Sequence, residues 1–203
     1  MNKTSKSITS ICVYCGSHPG HDPAYRNAAS FLGRTMAENG IDLVYGGGTK
    51  GIMGAVAEAV MSHGGKVIGI IPEFLMDQEA SREALTHLSE LHVTQNMHER
   101  KHMMFERADA FVTLPGGIGT LEEIIEIMTW AQLGRHTKPM VLANINGFWD
   151  PLNVLLGHMG GQGFIHTAHL VGPMVIDRVE EIVPAIIASA VNGKGDPDLI
   201  KRM

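Results

Sequence analysis

The sequence predicts a Rossmann-like α/β domain, a doubly wound parallel sheet with helices on both faces. Three observations predict it. Apolar, strand-like runs alternate with stretches of helical spacing along the chain. The strand runs are almost continuously apolar, as strands covered on both faces are. Glycines gather where strand runs end: of 24 glycines, five fall in 46–54 and three in 116–119. The 203 residues suit one domain, expected over 8–191, with loose tails at 1–7 and 192–203.

Ile8–Tyr14 reads as the first strand. After Pro23, Ala24, Ala28, Phe31, Leu32 and Met36 recur at helical spacing until Asn39-Gly40 stops them. Ile41–Tyr45 is the second strand, and Ile52–Met61 is a helix closed by His63-Gly64-Gly65. Lys66–Ile71 is the third strand, stopped by Pro72. Residues 72–89 follow no clear period and read as an irregular loop over a site. Leu91–Thr94 is a short strand, Met97–Arg107 a helix, Ala110–Leu114 a strand, Thr120–Leu133 a helix and Pro139–Ala143 a strand. Residues 150–159 and 178–190 are helical, with a short apolar run at 173–176. Ligands of such sheets sit at the carboxyl ends of the strands. Three glycine-containing loops lie there: Cys15-Gly16-Ser17, Gly46–Gly54 and Pro115–Thr120.

Composition excludes several classes. Hydrophobic residues at 44% and charged residues at 18% exclude a disordered chain. A net charge of −5 and no basic tract beyond Arg100-Lys101 argue against a nucleic-acid binder. No apolar run reaches the roughly 18 residues that span a bilayer. The polar start Met1–Ser7 lacks a signal-peptide core, so the expected location is the cytoplasm. Cys12 and Cys15 form a C-x-x-C, but Cys12 lies inside a strand, whose residues three apart point to opposite faces. A buried structural thiol is expected rather than a redox pair.

Three motifs carry chemistry. Gly46-Gly47-Gly48-Thr49-Lys50-Gly51 satisfies G-x-G-x-x-G between a strand and a helix, which fits phosphate contact. A full NAD site also needs an acidic residue at the end of the next strand, met only by Glu73. In Pro115-Gly116-Gly117-Ile118-Gly119-Thr120-Leu121-Glu122-Glu123, Thr120 and Glu123 have the spacing of a capping box. The glycines there let backbone approach a ligand, and an ionised Glu122 or Glu123 can bind sugar hydroxyls or act as a base. His98-Glu99-Arg100-Lys101-His102 matches the zinc-protease pattern H-E-x-x-H, with Glu122 as a conceivable third ligand. Proteins that bind zinc through that motif are not doubly wound parallel α/β domains, and Arg100 and Lys101 add two positive charges within the same turn. The remaining readings are a solvated helix face or a functional Arg100-Lys101 pair. Trp130 is expected to pack rather than to stack on substrate.

Together, Met97-His98-x-Arg100-Lys101-x-x-Met104 and Pro115-Gly116-Gly117-x-Gly119-Thr120-x-x-Glu123 resemble the LOG (Lonely guy) family of cytokinin riboside 5′-monophosphate phosphoribohydrolases. Cys15-Gly16-Ser17 and Gly46-Gly47-Gly48-x-x-Gly51-x-Met53-Gly54 resemble the family's other two loops, and the similarity spans about residues 9–190. The resemblance implies hydrolysis of the N-glycosidic bond of a purine riboside 5′-monophosphate, AMP or an N6-substituted relative, to free base and ribose 5-phosphate. It implies Arg100 and Glu123 as the catalytic pair. Substrate-binding residues would be Gly16, Ser17, Gly47, Gly48, Met53, Lys101, Gly116, Gly117, Ile118, Gly119, Thr120, Leu121, Glu122 and Thr129. It also implies an acidic contact from the 72–89 segment, assigned to Glu83, no cofactor or metal, and a homodimer. Ile118 stands where plant members usually carry Tyr. The alternative reading is a non-catalytic nucleotide-binding protein of the same fold. A lysine decarboxylase would need a pyridoxal phosphate lysine and a larger scaffold, for which the residues give no support.

Overall fold

The computed structural model describes residues 7–165 and 172–191. Along the chain follow β1 (Ser10–Tyr14), α1 (Pro23–Glu38), β2 (Asp42–Tyr45), α2 (Gly51–Ser62), β3 (Val67–Pro72), α3 (Met76–Glu79), α4 (Arg82–Leu85), β4 (Glu90–Thr94), α5 (Met97–Arg107), β5 (Ala110–Thr113), α6 (Ile118–Gln132), β6 (Met140–Ala143), α7 (Asp150–Gly161), β7 (Met174–Ile176) and α8 (Ile182–Val191). The expected tails lie, apart from Ser7, outside the described residues.

The strands form one sheet in the order β4-β3-β2-β1-β5-β6-β7, and every pair is parallel. The winding reverses between β1 and β5. Cys12 faces Val44 on one side and Phe111 on the other. A crevice opens beyond the carboxyl ends of two adjacent strands whose connections leave in opposite directions.

Alternation along β1 feeds two cores. Ile11 and Val13 join Leu43, Leu32, Met36, Val56, Val60 and Ile186 on the face covered by α1, α2 and α8. Cys12 and Tyr14 join Phe111, Met104 and Ile127 on the face covered by α5 and α6. Phe105 stacks against Phe111 and meets Trp130 edge-on at 4.9 Å, so Trp130 packs as expected. The two cysteines are buried in opposite layers, Cys15 with the first core. Burial pushes both thiols up, which suits structural rather than redox roles.

Two expectations are corrected. The 72–89 segment is not irregular throughout. It holds α3 and α4, and Ala80 and Leu85 are buried against Ile71. Its apolar anchors belong to short helices, too short to show a period. Helix α6 begins at Ile118, not Thr120, with Gly117 at its N-cap and no side-chain cap. Thr120 is buried in the first turn, so the Thr120–Glu123 capping box does not form. A Cβ on Gly116 would overlap the Thr120 side chain; glycine there lets Thr120 tuck under the loop.

Among the described residues no helix is long and apolar enough to cross a membrane. Helix α7 buries none of its residues. Val154 is 73% exposed and Phe164, just beyond the helix, 78%. An apolar hollow of about 520 Å³ runs between α6 and α7.

Candidate active site

Gly16 joins the three glycine loops. Its N–H donates to the Pro115 carbonyl at 3.1 Å, and its own carbonyl accepts from the N–H groups of Ile52 and Met53 at 3.1 and 3.2 Å. A Cβ on Gly16 would press on the His18 carbonyl and on Gly116, so glycine lets the loops meet this closely without displacing that backbone. Ser17 sits beside this junction, its hydroxyl 3.3 Å from His18 Nδ1.

This junction separates the two glycine clusters. At the start of α2, the N–H groups of Ile52 and Met53 are already taken by Gly16. Gly46, Gly47 and Gly48 are buried, with Gly47 at φ +76° and Gly48 packed on the Met53 thioether. The helix that follows the G-x-G-x-x-G loop therefore has the N–H groups of its first turn engaged within the protein. At the start of α6 the opposite holds. Gly117, Ile118 and Gly119 are exposed, and Gly117 and Gly119 have open space where a Cβ would stand. First-turn N–H groups have no partner within a helix. With no side-chain cap, this positive helix end faces the crevice.

Helix α5 brings the second set of groups. Asn96 and Glu99 cap it reciprocally: Glu99 N–H donates to Asn96 Oδ1 at 2.9 Å, and Asn96 Nδ2 donates to Glu99 Oε1 at 3.1 Å. Glu99 also accepts from the Gln95 N–H at 3.0 Å. The glutamate of the H-E-x-x-H pattern is thus committed to a capping box, while His98 and His102 are exposed. Among the described residues no three His, Cys, Asp or Glu side chains gather as metal ligands.

One turn into α5, Arg100 is buried (5% exposed) and faces Glu123 of α6 (8% exposed). Their closest N···O distance is 3.8 Å, an ion pair rather than a hydrogen bond. Arg100 Nη2 donates to the Gly46 carbonyl at 3.4 Å and Nη1 to Met97 Sδ at 3.7 Å. Its buried Nε has no partner. Such a guanidinium keeps donor capacity for an incoming acceptor. Burial raises the Glu123 carboxyl to about 7; Arg100 and Lys101 oppose the rise, and Glu122 and Glu79 add to it. A carboxyl that titrates near neutrality, in a crevice beside a cation, has the signature of a working acid or base.

The remaining candidates divide. Lys101 Nζ lies 2.6 Å from Glu122 and 3.1 Å from Glu126. Leu121 packs partly against Ile124 and Trp149. Thr129 is two turns along α6 from the pair, its hydroxyl donating to the Ile125 carbonyl at 2.7 Å. It lines the hollow beside α7 and is not brought to Arg100 and Glu123 within one chain. Glu83 is exposed on α4. Glu79 is the acidic group of the segment that faces inward. Its carbonyl accepts from the Thr49 N–H at 3.0 Å, its Oε2 is buried without a partner, and its charge acts on Glu123. Sequence reasoning missed Glu79 and also Gly46, where a Cβ would overlap the Arg100 guanidinium. The first position of an uninterrupted Gly-Gly-Gly run was the available signal for Gly46.

Comparison with known proteins gives the same direction. A family model described as "Possible lysine decarboxylase" matches residues 53–186. A protein of Oryza sativa subsp. japonica, named a probable cytokinin riboside 5′-monophosphate phosphoribohydrolase, is 45% identical over 86% of this chain and 78% of its own length. A protein of Rhodococcoides fascians, named a cytokinin riboside 5′-monophosphate phosphoribohydrolase, is 44% identical over 90% of both chains. Among solved structures, a structural-genomics target is 27% identical with a TM-score of 0.64, covering 88% of this chain and 98% of its own. The molybdenum cofactor binding protein from Rippkaea orientalis, at 19% identity and a TM-score of 0.65 over 89% and 96% of the two chains, shares the fold. With these matches spanning most of its length, the chain belongs to the LOG family of cytokinin riboside 5′-monophosphate phosphoribohydrolases, the family whose model carries the lysine decarboxylase description.

Proposed function

We propose that this protein hydrolyses the N-glycosidic bond of a purine riboside 5′-monophosphate, with AMP or an N6-substituted AMP as substrate. The observation that carries the reading is the buried Arg100–Glu123 pair beside the uncapped N-terminus of α6. The helix end and the Gly116–Thr120 backbone suit a 5′-phosphate. Phosphate bound there fixes the ribose over the pair, so that remote binding energy orients the reacting centre.

Breaking the C1′–N bond sends its electron pair to the base and leaves positive charge on C1′ and the ring oxygen. The ionised Glu123 carboxylate, shielded from water, stabilises that charge and holds the ribose hydroxyls or takes a proton from the attacking water. Water oxygen bonds to C1′, and the proton balance closes on the departing base. Arg100, with its unpartnered Nε, orients the substrate or Glu123. The direct test is chromatography of AMP, GMP, CMP and N6-prenylated AMP after incubation with the protein. Free purine base and ribose 5-phosphate in equal amounts are expected; saturable binding without base release identifies a non-catalytic nucleotide binder instead.

A homodimer is the assembly this reading expects. Its support is the apolar surface of Ile125, Val154, Leu155, Met159 and Phe164, a patch of the kind that marks interfaces. Light scattering is expected to give about twice the 22.0 kDa chain mass, and Leu155→Lys is expected to shift the protein towards the monomer. A wild-type monomer contradicts it.

A further inference from the structure

A second cavity lies on the sheet face covered by α1 and α2, and the proposed reaction does not use it. It encloses about 360 Å³, within the range of small-molecule pockets. Its walls are Ala55 and Met61 of α2 and Ala84 and Leu88 of the 72–89 segment. Tyr45 meets it from the end of β2. Neither Arg100, Glu123 nor the Gly116–Thr120 loop lines it. Thr49, also on the wall, ties its two sides together. The Thr49 N–H donates to the Glu79 carbonyl at 3.0 Å, and its Oγ1 accepts from the Ser81 N–H at 2.8 Å. The cavity is therefore preformed, with α2 and the 72–89 segment pinned to each other at its edge.

The polar groups of this cavity are few and unequal. Tyr45 is 0% exposed, and its hydroxyl has no hydrogen-bond partner among the described residues. Burial pushes the phenol up, so it stays an O–H with a proton to donate. Leaving such a group buried and unpaired is costly, and native interiors seldom do so without a use for it. Packing does not call for the hydroxyl, because the ring already sits among the apolar side chains of the first core. Arg26, Glu58 and His87 are the exposed lining residues at the open side. They bring one positive charge, one negative charge and an imidazole. Opposite charges at the mouth give no net attraction for a phosphate or a carboxylate.

We propose that this cavity is a second ligand site, which takes an uncharged planar nitrogen heterocycle of purine size with a ring nitrogen accepting a hydrogen bond from the Tyr45 hydroxyl. The apolar walls from α2 and the 72–89 segment hold the faces of the ring. The Thr49 hydroxyl keeps a proton to donate to a second ring nitrogen, and the Glu58 carboxylate accepts from an exocyclic amine. Arg26 supplies a planar guanidinium, which stacks on aromatic rings. The ligand would touch both α2 and α4, and so would grip the segment that carries Glu79. The proposal goes beyond the N-glycosidase reading and stands apart from it.

The test is equilibrium dialysis of radiolabelled adenine against the full chain carrying Glu123→Gln, with excess N6-prenylated AMP present to fill the proposed active site. The same measurement is made after adding Tyr45→Phe or Ala84→Trp. One saturable adenine site per chain is expected, unaffected by the nucleotide, whose phosphate does not suit the cavity. Tyr45→Phe removes the donor and is expected to weaken adenine about fivefold. Ala84→Trp fills the cavity and is expected to abolish binding. Thermal melts of Tyr45→Phe are expected within about 2 °C of the parent, because the hydroxyl has no partner in the fold to lose. If circular dichroism shows Ala84→Trp unfolded, Tyr45→Phe decides alone. No saturable binding overturns the proposal, as does adenine that N6-prenylated AMP displaces, which places it in the crevice at Glu123. Affinity unchanged in Tyr45→Phe overturns it too. A large loss of stability in Tyr45→Phe shows that the hydroxyl serves the fold, and likewise overturns it.

Discussion

Glu123→Gln is expected to stop base release and, above neutral pH, to make the protein more stable. The loss of rate is expected to reach about 10³-fold or more, because the carboxylate answers charge that exists only in the transition state. The wild-type rate should rise with pH as Glu123 ionises around 7. The stability gain has the same origin. Burial lifts the folded-state value from 4.5 to about 7, so between those values the folded protein holds a proton that the unfolded chain has released. Wild-type stability therefore falls as pH rises through that window and levels off above it. Glutamine, uncharged at every pH, escapes this cost of about 3 kcal/mol. Urea unfolding should show the variant more stable at about pH 8 and nearly equal to wild type at about pH 4. A variant with normal activity, or a stability difference that does not depend on pH, contradicts the assignment.

Gly46→Ala is expected to lower kcat/KM by about 10²-fold with the fold intact. The added methyl would collide with the end of the Arg100 side chain rather than with backbone. The guanidinium yields, and in yielding leaves Glu123. Gly51→Ala makes the contrast. Gly51 has φ +59°, and a Cβ there would overlap the Ser17 backbone, so this variant should lose stability itself. Thermal melts beside rate measurements separate the two. An active Gly46→Ala enzyme would show that Arg100 need not sit where the structure has it.

The periodic elements were legible and the non-periodic ones were not. Helix α5 runs from Met97 to Arg107, where its spacing put it, and the β1–α1–β2–α2 order follows from apolar runs and glycine stops. The start of α6 was misread because Thr120 and Glu123 have capping-box spacing. That pattern does not reveal that Thr120 is needed beneath Gly116. The true box, Asn96 with Glu99, was hidden under the H-E-x-x-H match. Glu79 ends α3 and Glu83 lies in α4, and nothing local says which faces inward; that depends on Ala80 and Leu85 docking against Ile71. Gly46 was read through its neighbours in sequence, whereas its reason lies 54 residues away at Arg100. The glycine motifs mark the three loops that meet at Gly16. The Gly16 junction engages the Ile52 and Met53 N–H groups at the start of α2, whereas the start of α6 has no side-chain cap.

In the proposed complex the ribose of a nucleotide lies against Glu123 while its phosphate rests on the start of α6. The most direct measurement is a crystal structure of Glu123→Gln with N6-prenylated AMP bound. C1′ is expected to face the residue 123 side chain, with the 5′-phosphate on the N–H groups of the Gly117–Thr120 turn and Arg100 donating to the nucleotide. A phosphate lodged instead on the Gly46–Gly48 loop, or a ribose turned away from residue 123, would contradict it.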